Sequence, residues 1–260
     1  MLKILKYSFY DLLRSKWTLI YFLFFILITQ GLLYITGDEA KTVVGLLNVV
    51  IILCPLIATV FGTVNFYNSR EFTELLLAQP LKRRDIFIGQ YLGMTISLSI
   101  GYFLGVLIPF LIHSFTYSID FTILSILLFV GVFLTFIFSA LSFLISLITD
   151  NKIKGFGLSI LSWLLLALVY DGLQLFVLSS LDNYPLEKIS LVMTFLNPID
   201  LSRVLLMLKL DISALLGYTG AVFNKFFGSS VGFALSLSAL FIWTVIPVYF
   251  INRISMKKDF

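Results

Sequence analysis

Ser69-Arg-Glu-Phe-Thr-Glu-Leu-Leu-Leu-Ala-Gln-Pro-Leu-Lys-Arg-Arg-Asp85 is a short charged segment set between two stretches that carry no charge. Residues 42–69 before it and 86–119 after it contain no Asp, Glu, Lys or Arg. A bilayer core about 30 Å thick takes roughly 20 apolar residues of helix. Each flank is long enough and the charged segment is not, so it reads as a short helix at a membrane surface between two spans. Asn68 or Ser69 supplies its N-cap, and Asn68 with Glu71 has the spacing of a capping box. Arg70 and Glu74 stand one turn apart and can pair. Phe72, Leu75 and Leu76 form a small apolar face, Pro80 stops the helix, and Lys82-Arg83-Arg84 follow at headgroup level. So small an apolar face needs lipid or another protein to cover it.

The rest of the chain carries the same message. Hydrophobic residues make up 60%, charged residues 12%, and the mean hydropathy is +1.05, far from the soluble range. Six stretches are long enough to span, at about 17–36, 43–67, 86–112, 121–148, 156–180 and 231–251. The expected fold is an all-α membrane protein, one domain over residues 1–260 with six transmembrane helices. Residues 1–16 are expected to form an interfacial helix, with Leu2, Leu5, Phe9, Leu12 and Leu13 on one stripe and Lys3, Lys6, Tyr10 and Arg14 on another. Thirteen of the eighteen Lys and Arg fall in 1–16, 68–85, 149–155 and 252–260. The positive-inside bias places those surfaces, and both termini, in the cytoplasm. The net charge of +4 is thus a topology signal, not a nucleic-acid surface. The N-terminal apolar run is too long for a cleavable signal and reads as a retained anchor. Pro55, Pro109 and Pro247 mark kinks, while Gly89, Gly93, Gly101 and Gly105 allow close helix packing.

Residues 181–230 form a long outer segment with structure of its own. Ile189, Val192, Met193 and Leu196 share one helical face, and Asn197-Pro198 is a turn. Asp200 can then cap a second helix bearing Leu201, Val204, Leu205 and Leu208, with Arg203 placed to pair with Asp200. Asp171 is the one charge well inside a span, about 15 Å of helix from its outer end. A carboxylate at that depth is costly, which marks it as a functional candidate. His113 is the sole histidine, Cys54 the sole cysteine, and Met193 and Met207 lie too far apart to pair, so a metal or haem site in this chain is not expected. No Gly-x-x-x-x-Gly-Lys phosphate loop occurs, nor any Gly-Lys dipeptide. The chain is therefore not expected to hydrolyse ATP itself.

The run Arg70-Glu-Phe-Thr-Glu-Leu-Leu-Leu-Ala-Gln-Pro-Leu-Lys-Arg83, followed by Ile88-Gly-Gln-Tyr-Leu-Gly93, resembles the first cytoplasmic loop of ABC-2 type permeases. Glu71-Phe72 stands where that family has a Gly-Thr pair, and Gly89-Gln90 where it has Gly-Lys. The resemblance implies a coupling helix at about 69–79 that docks on a cytoplasmic ATPase through Arg70, Glu71, Phe72, Glu74, Leu75 and Leu76. It also implies a homodimeric permease in the inner membrane of a bacterium, working with an ATPase dimer that binds ATP and Mg. A narrower resemblance rests on Leu196-Asn-Pro-Ile-Asp-Leu-Ser-Arg203 and Leu168-Val-Tyr-Asp171, which are similar to the Nos-type permeases. These serve copper-site maturation of nitrous oxide reductase beside a periplasmic β-helix copper-handling protein. That implies docking of such a partner around Asn197, Pro198, Asp200 and Arg203. Two mechanisms fit: transmission of motion to that partner, or export of a sulfur species. An ABC-2 exporter for another substrate is the alternative. A membrane redox enzyme would need more histidines than His113, and a secondary transporter an internal repeat and broken helices, neither of which is visible in the sequence.

Overall fold

The computed structural model describes residues 2–113, 121–180, 186–209 and 230–258. Residues 114–120, the stretches 181–185 and 210–229 of the expected outer segment, and the side chains of Leu13 and Leu208 lie outside the described residues. Among the described residues six helices are long and apolar enough to cross a membrane, and there is no strand.

In chain order, α1 is Leu2–Leu13 and α2 Lys16–Thr36, followed by α3 Glu39–Asn68, α4 Arg70–Leu77, α5 Arg83–His113 and α6 Phe121–Ile148. The fifth span, Lys152–Ser180, is α7 Lys152–Leu164, a π-helical turn Leu165–Val169, and α8 Tyr170–Ser180. After it come α9 Leu186–Leu196, α10 Pro198–Lys209 and the last span α11 Ser230–Ser255. The ends are capped where the chain leaves the apolar runs. Ser15 accepts from Trp17 N at the start of α2, and Gly37 closes it in the left-handed region at φ 57° with its N–H on Leu33 O. Asp38 caps α3, and Asn151 caps α7 through two backbone amides. The helices continue through Pro55, Pro109 and Pro247.

The core lies where α2, α3, α5 and α6 meet. Phe25 stands edge-on to Tyr102 with ring centroids 5.0 Å apart, and the Tyr102 hydroxyl donates to Leu127 O at 2.8 Å. Between helices in lipid the attraction comes from close packing and hydrogen bonds rather than from expelling water. The glycines of α5 serve that closeness on two different neighbours. Gly89 and Gly93 receive Ile4, Leu5 and Ser8 of α1, whereas Gly101 and Gly105 receive Tyr21, Phe22 and Phe25 of α2.

α1 therefore lies on α5, and its buried residues are Ile4, Ser8 and Leu12, with Leu5 and Phe9 at the margin. Leu2, expected on the apolar stripe, is 78% exposed. The backbone of α5 at its glycines draws in Ser8, a residue small enough to fit there, so the buried face turns away from Leu2.

Candidate functional site

At the basic end of the bundle, α4 stands between α3 and α5 as an eight-residue helix. Asn68 is still the last residue of α3, and Ser69 makes no side-chain capping bond, so the expected capping box does not form. Arg70 Nε donates to Glu74 Oε1 at 3.1 Å, as the spacing predicts, and Arg70 Nη1 reaches the carbonyl of Asp150 at 3.3 Å. On the inner side, Gln90 Nε2 of α5 donates to Thr73 Oγ1 at 2.9 Å in a buried position. Phe72 stacks on Tyr7 of α1, with centroids 5.0 Å apart and planes 27° from parallel. Phe72 and Leu76 line a groove shared with Leu2 and Tyr7, while Leu75 is 68% exposed and Glu71 and Glu74 face outward beside it.

α4 is thus held by three separate elements and presents Leu75 between two carboxylates. The apolar face expected from Phe72, Leu75 and Leu76 is divided: Phe72 and Leu76 look toward α1, and Leu75 looks out. Gln90 and Tyr7 were not recognisable as anchors in the sequence, because each lies on a neighbouring helix whose register is set by tertiary contacts.

A second set of bonds ties the loop between α6 and α7 to the same region. Tyr67 OH donates to Thr149 O at 2.7 Å, and Lys152 Nζ to Asn68 Oδ1 at 3.2 Å. Lys258 Nζ donates to Asp150 Oδ1 at 2.6 Å and to Leu147 O at 2.7 Å, and Arg83 donates to the Lys258 carbonyl. The Lys258 ammonium holds the Asp150 carboxyl below the usual carboxylate range. Asp150 therefore joins α4, the end of α11 and the start of the fifth span.

Toward the opposite end, α9 and α10 form a helical hairpin bent by 114° at Asn197. Asn197 is the N-cap of α10, its Oδ1 accepting from Ile199 N at 3.0 Å, with Pro198 at the first helical position where no N–H is needed. The cap is Asn197 and not Asp200 as expected; Asp200 lies in the first turn of the helix. The Asn197 amide donates to Leu166 O at 2.9 Å, inside the π-helical turn. Tyr170 OH donates to Met193 O at 2.7 Å, and Trp243 Nε1 of α11 to Phe195 O at 3.1 Å.

Asp171 completes this junction. Arg203 Nη1 lies 3.0 Å from Asp171 Oδ2 and 3.2 Å from Asp200 Oδ1. Asp171 Oδ1 and Asp200 Oδ2 are buried without a donor among the described residues. One guanidinium therefore answers two carboxylates from separate elements. The sequence pairing of Asp200 with Arg203 is observed, and Asp171 pairs with the same Arg203. His113 lies against Gln30, with Nε2 atoms 3.1 Å apart. Among the described residues no group of three or more His, Cys, Asp or Glu could hold a metal ion.

The bundle has a surface helix clamped at one end, and a hairpin hydrogen-bonded to the π-helical turn of the fifth span toward the other. The fifth span runs as one helix from Lys152 to Ser180, with π-helical geometry at Leu165–Val169. Its π-helical run Leu-Leu-Ala-Leu-Val contains neither Gly nor Pro and so gives no local sign.

Comparison with protein families matches residues 2–259 to the ABC-2 family transporter proteins. Among curated proteins, a probable ABC transporter permease protein NosY of Stutzerimonas stutzeri is 24% identical over 211 residues. The aligned part covers 75% of this chain and 76% of that relative.

Proposed function

This chain belongs to the ABC-2 transporter family, and we propose that it is a permease subunit converting the ATP-driven motion of a separate ATPase into movement of the outer hairpin. Family membership implies the ATPase and the bilayer as partners. The basic end of the bundle, with both termini, faces the cytoplasm of the inner membrane, following the excess of Lys and Arg on that side. The ATPase closes on α4, with Leu75 entering an apolar recess and Glu71 and Glu74 meeting basic groups around it. The chain supplies no phosphate loop, so ATP and Mg stay on the partner.

The working unit is a homodimer. Only 6% of the most apolar stretch of the fifth span is buried within one chain, against 56% for the third and fourth spans. The side chains of Asp171 and Arg203 remain 36% and 28% exposed. Charged groups open to hydrocarbon are costly, so a second copy covers this face.

The similarity to NosY supports copper-site maturation of nitrous oxide reductase as the process served. The observation that carries the mechanism is the bolting of α9 and α10 to the fifth and last spans at Leu166, Tyr170, Asp171 and Trp243. A hairpin held this way moves with the spans, which favours transmission to a periplasmic copper-handling partner over release of a cargo.

The test is replacement. A nitrous-oxide-reducing bacterium lacking its own permease receives this chain together with its cognate ATPase. Recovery of the copper-site absorption of the reductase is the expected result. An assembled ABC complex beside a reductase without that absorption would overturn the maturation reading and leave an ABC-2 exporter of another substrate.

A further inference from the structure

A groove of about 630 Å³ lies between α5, α6 and α11. Phe129, Phe133 and Phe136 of α6 form its floor, and Val245 and Val248 of α11 one wall. Tyr91 lines it with its ring, because its hydroxyl is spent on Phe136 O at 3.0 Å. Phe129 and Phe241 are 63% and 60% exposed at the inner end, so the slot is open along its length.

The other end is polar and positive. Arg84, exposed in the first turn of α5, stands at the mouth with Asn252, and no carboxylate is among the lining residues. From Phe241 to Asn252 the last span rises ~16 Å, about half of a ~30 Å hydrocarbon core. The slot is therefore one leaflet deep, apolar below and cationic at the headgroup level.

We propose that this groove binds an anionic phospholipid of the cytoplasmic leaflet. One acyl chain lies along the phenylalanines of α6 and the valines of α11, and the phosphate meets Arg84. Phosphatidylglycerol has this chemistry. Its charge is complementary to Arg84, and a guanidinium pairs well with phosphate oxygens. The site couples α5, which follows α4 directly, to the last span, so an occupied groove stiffens the two helices against each other. The leaflet assignment rests on the orientation proposed above; binding itself does not depend on the ATPase.

The purified full chain, with its ATPase and stripped of lipid in detergent, is titrated with phosphatidylglycerol and separately with phosphatidylcholine. Native mass spectrometry counts the lipids retained. Phosphatidylglycerol is expected to bind at concentrations where phosphatidylcholine does not. Arg84→Gln weakens its binding roughly fivefold, the order expected for one cation at a bilayer surface. Val245→Trp, which fills the slot without altering charge, weakens it as well. Equal retention of both lipids, or binding unchanged in both variants, would overturn the site. So would cross-linking of two copies through Val245→Cys, which would show the groove to be covered by a second chain. Labelling of Arg253→Cys from the outer side only would overturn the orientation, and with it the leaflet, while leaving lipid retention in place.

Discussion

The side-chain amide of Asn197 donates to the carbonyl of Leu166 at 2.9 Å, joining the bend of the outer hairpin to the π-helical turn of the fifth span. The same side chain caps α10 through Ile199 N. Asn197→Ala removes both bonds and is expected to lower stability by about 2–3 kcal/mol, the sum of a lost cap and a buried carbonyl left without a donor. Asn197→Ser keeps a capping oxygen but falls short of Leu166, and should recover roughly 1 kcal/mol of that loss. Thermal unfolding in detergent orders the three proteins, and hydrogen exchange in α9 and α10 shows whether the loss is local to the hairpin.

Arg203 is the one cation shared by two carboxylates, so its removal is worse than removal of either acid. Arg203→Gln should cost about 2 kcal/mol, between the values for exposed and for buried ion pairs. Adding Asp171→Asn and Asp200→Asn to that variant should restore much of the loss, because no uncompensated charge then remains. A double-mutant cycle on melting temperature checks the coupling. Additive effects would mean that the three groups do not act as one cluster.

Phe72 and Leu75 lie on one short helix and face different neighbours. Leu75→Ala should leave the melting temperature within about 0.5 kcal/mol of wild type, as surface changes do, while weakening ATPase association. Phe72→Ala loses its stacking on Tyr7, worth about 1 kcal/mol, and should loosen α4 on α1, seen as faster hydrogen exchange in residues 70–77. Glu74→Arg breaks the Arg70 pair and reverses a charge on the exposed face, so it weakens association without impairing insertion. If complex assembly survives all three, α4 is not the docking element.

Glycine positions separate close packing from open space. A Cβ at Gly93 would meet Ser8 Cβ at 2.6 Å and Leu5 O at 2.9 Å, so Gly93→Val should push α1 off α5 and destabilise by about 1–3 kcal/mol. Gly157, with nothing within 4 Å, should accept Ala and gain about 0.5–1 kcal/mol from helix propensity. Limited proteolysis after α1 distinguishes the two.

The Asp150–Lys258 link has a defined dependence on pH. Because the folded state depresses the Asp150 carboxyl below its ordinary range, the link is complete above that range and is lost as pH falls through the folded-state value. Between pH 6 and 8 the anchoring of the α11 C-terminus should not change. Lys258→Met should free it at every pH, read by exchange rates over 252–258.

The six spans were legible because long uncharged runs have one physical solution in a bilayer. The turn before α10 was legible too, through Asn197-Pro198, and so was the Arg203–Asp200 pair at its local spacing. What lay beyond reach depends on neighbours. Arg203 reaches Asp171, and Asn197 reaches Leu166, only because the hairpin folds back on the fifth span. Phe72 turned inward for a similar reason: the pattern shows that a face is apolar, but not which of two neighbours it meets. Trp243 carried a faint signal, since a buried indole N–H needs an acceptor, yet its partner Phe195 lies on an element whose placement no local pattern reports.

The central claim is that motion enters at α4 and arrives at the hairpin. Spin labels at Val192→Cys, an exposed position of α9, report the separation of the two hairpins in the proposed homodimer reconstituted with its ATPase, measured by pulsed electron resonance. The account predicts that ATP with vanadate shifts this distance in the wild-type background, and that Leu75→Arg abolishes the shift while the dimer persists. A hairpin distance that ignores ATP, or a shift that survives Leu75→Arg, would contradict it.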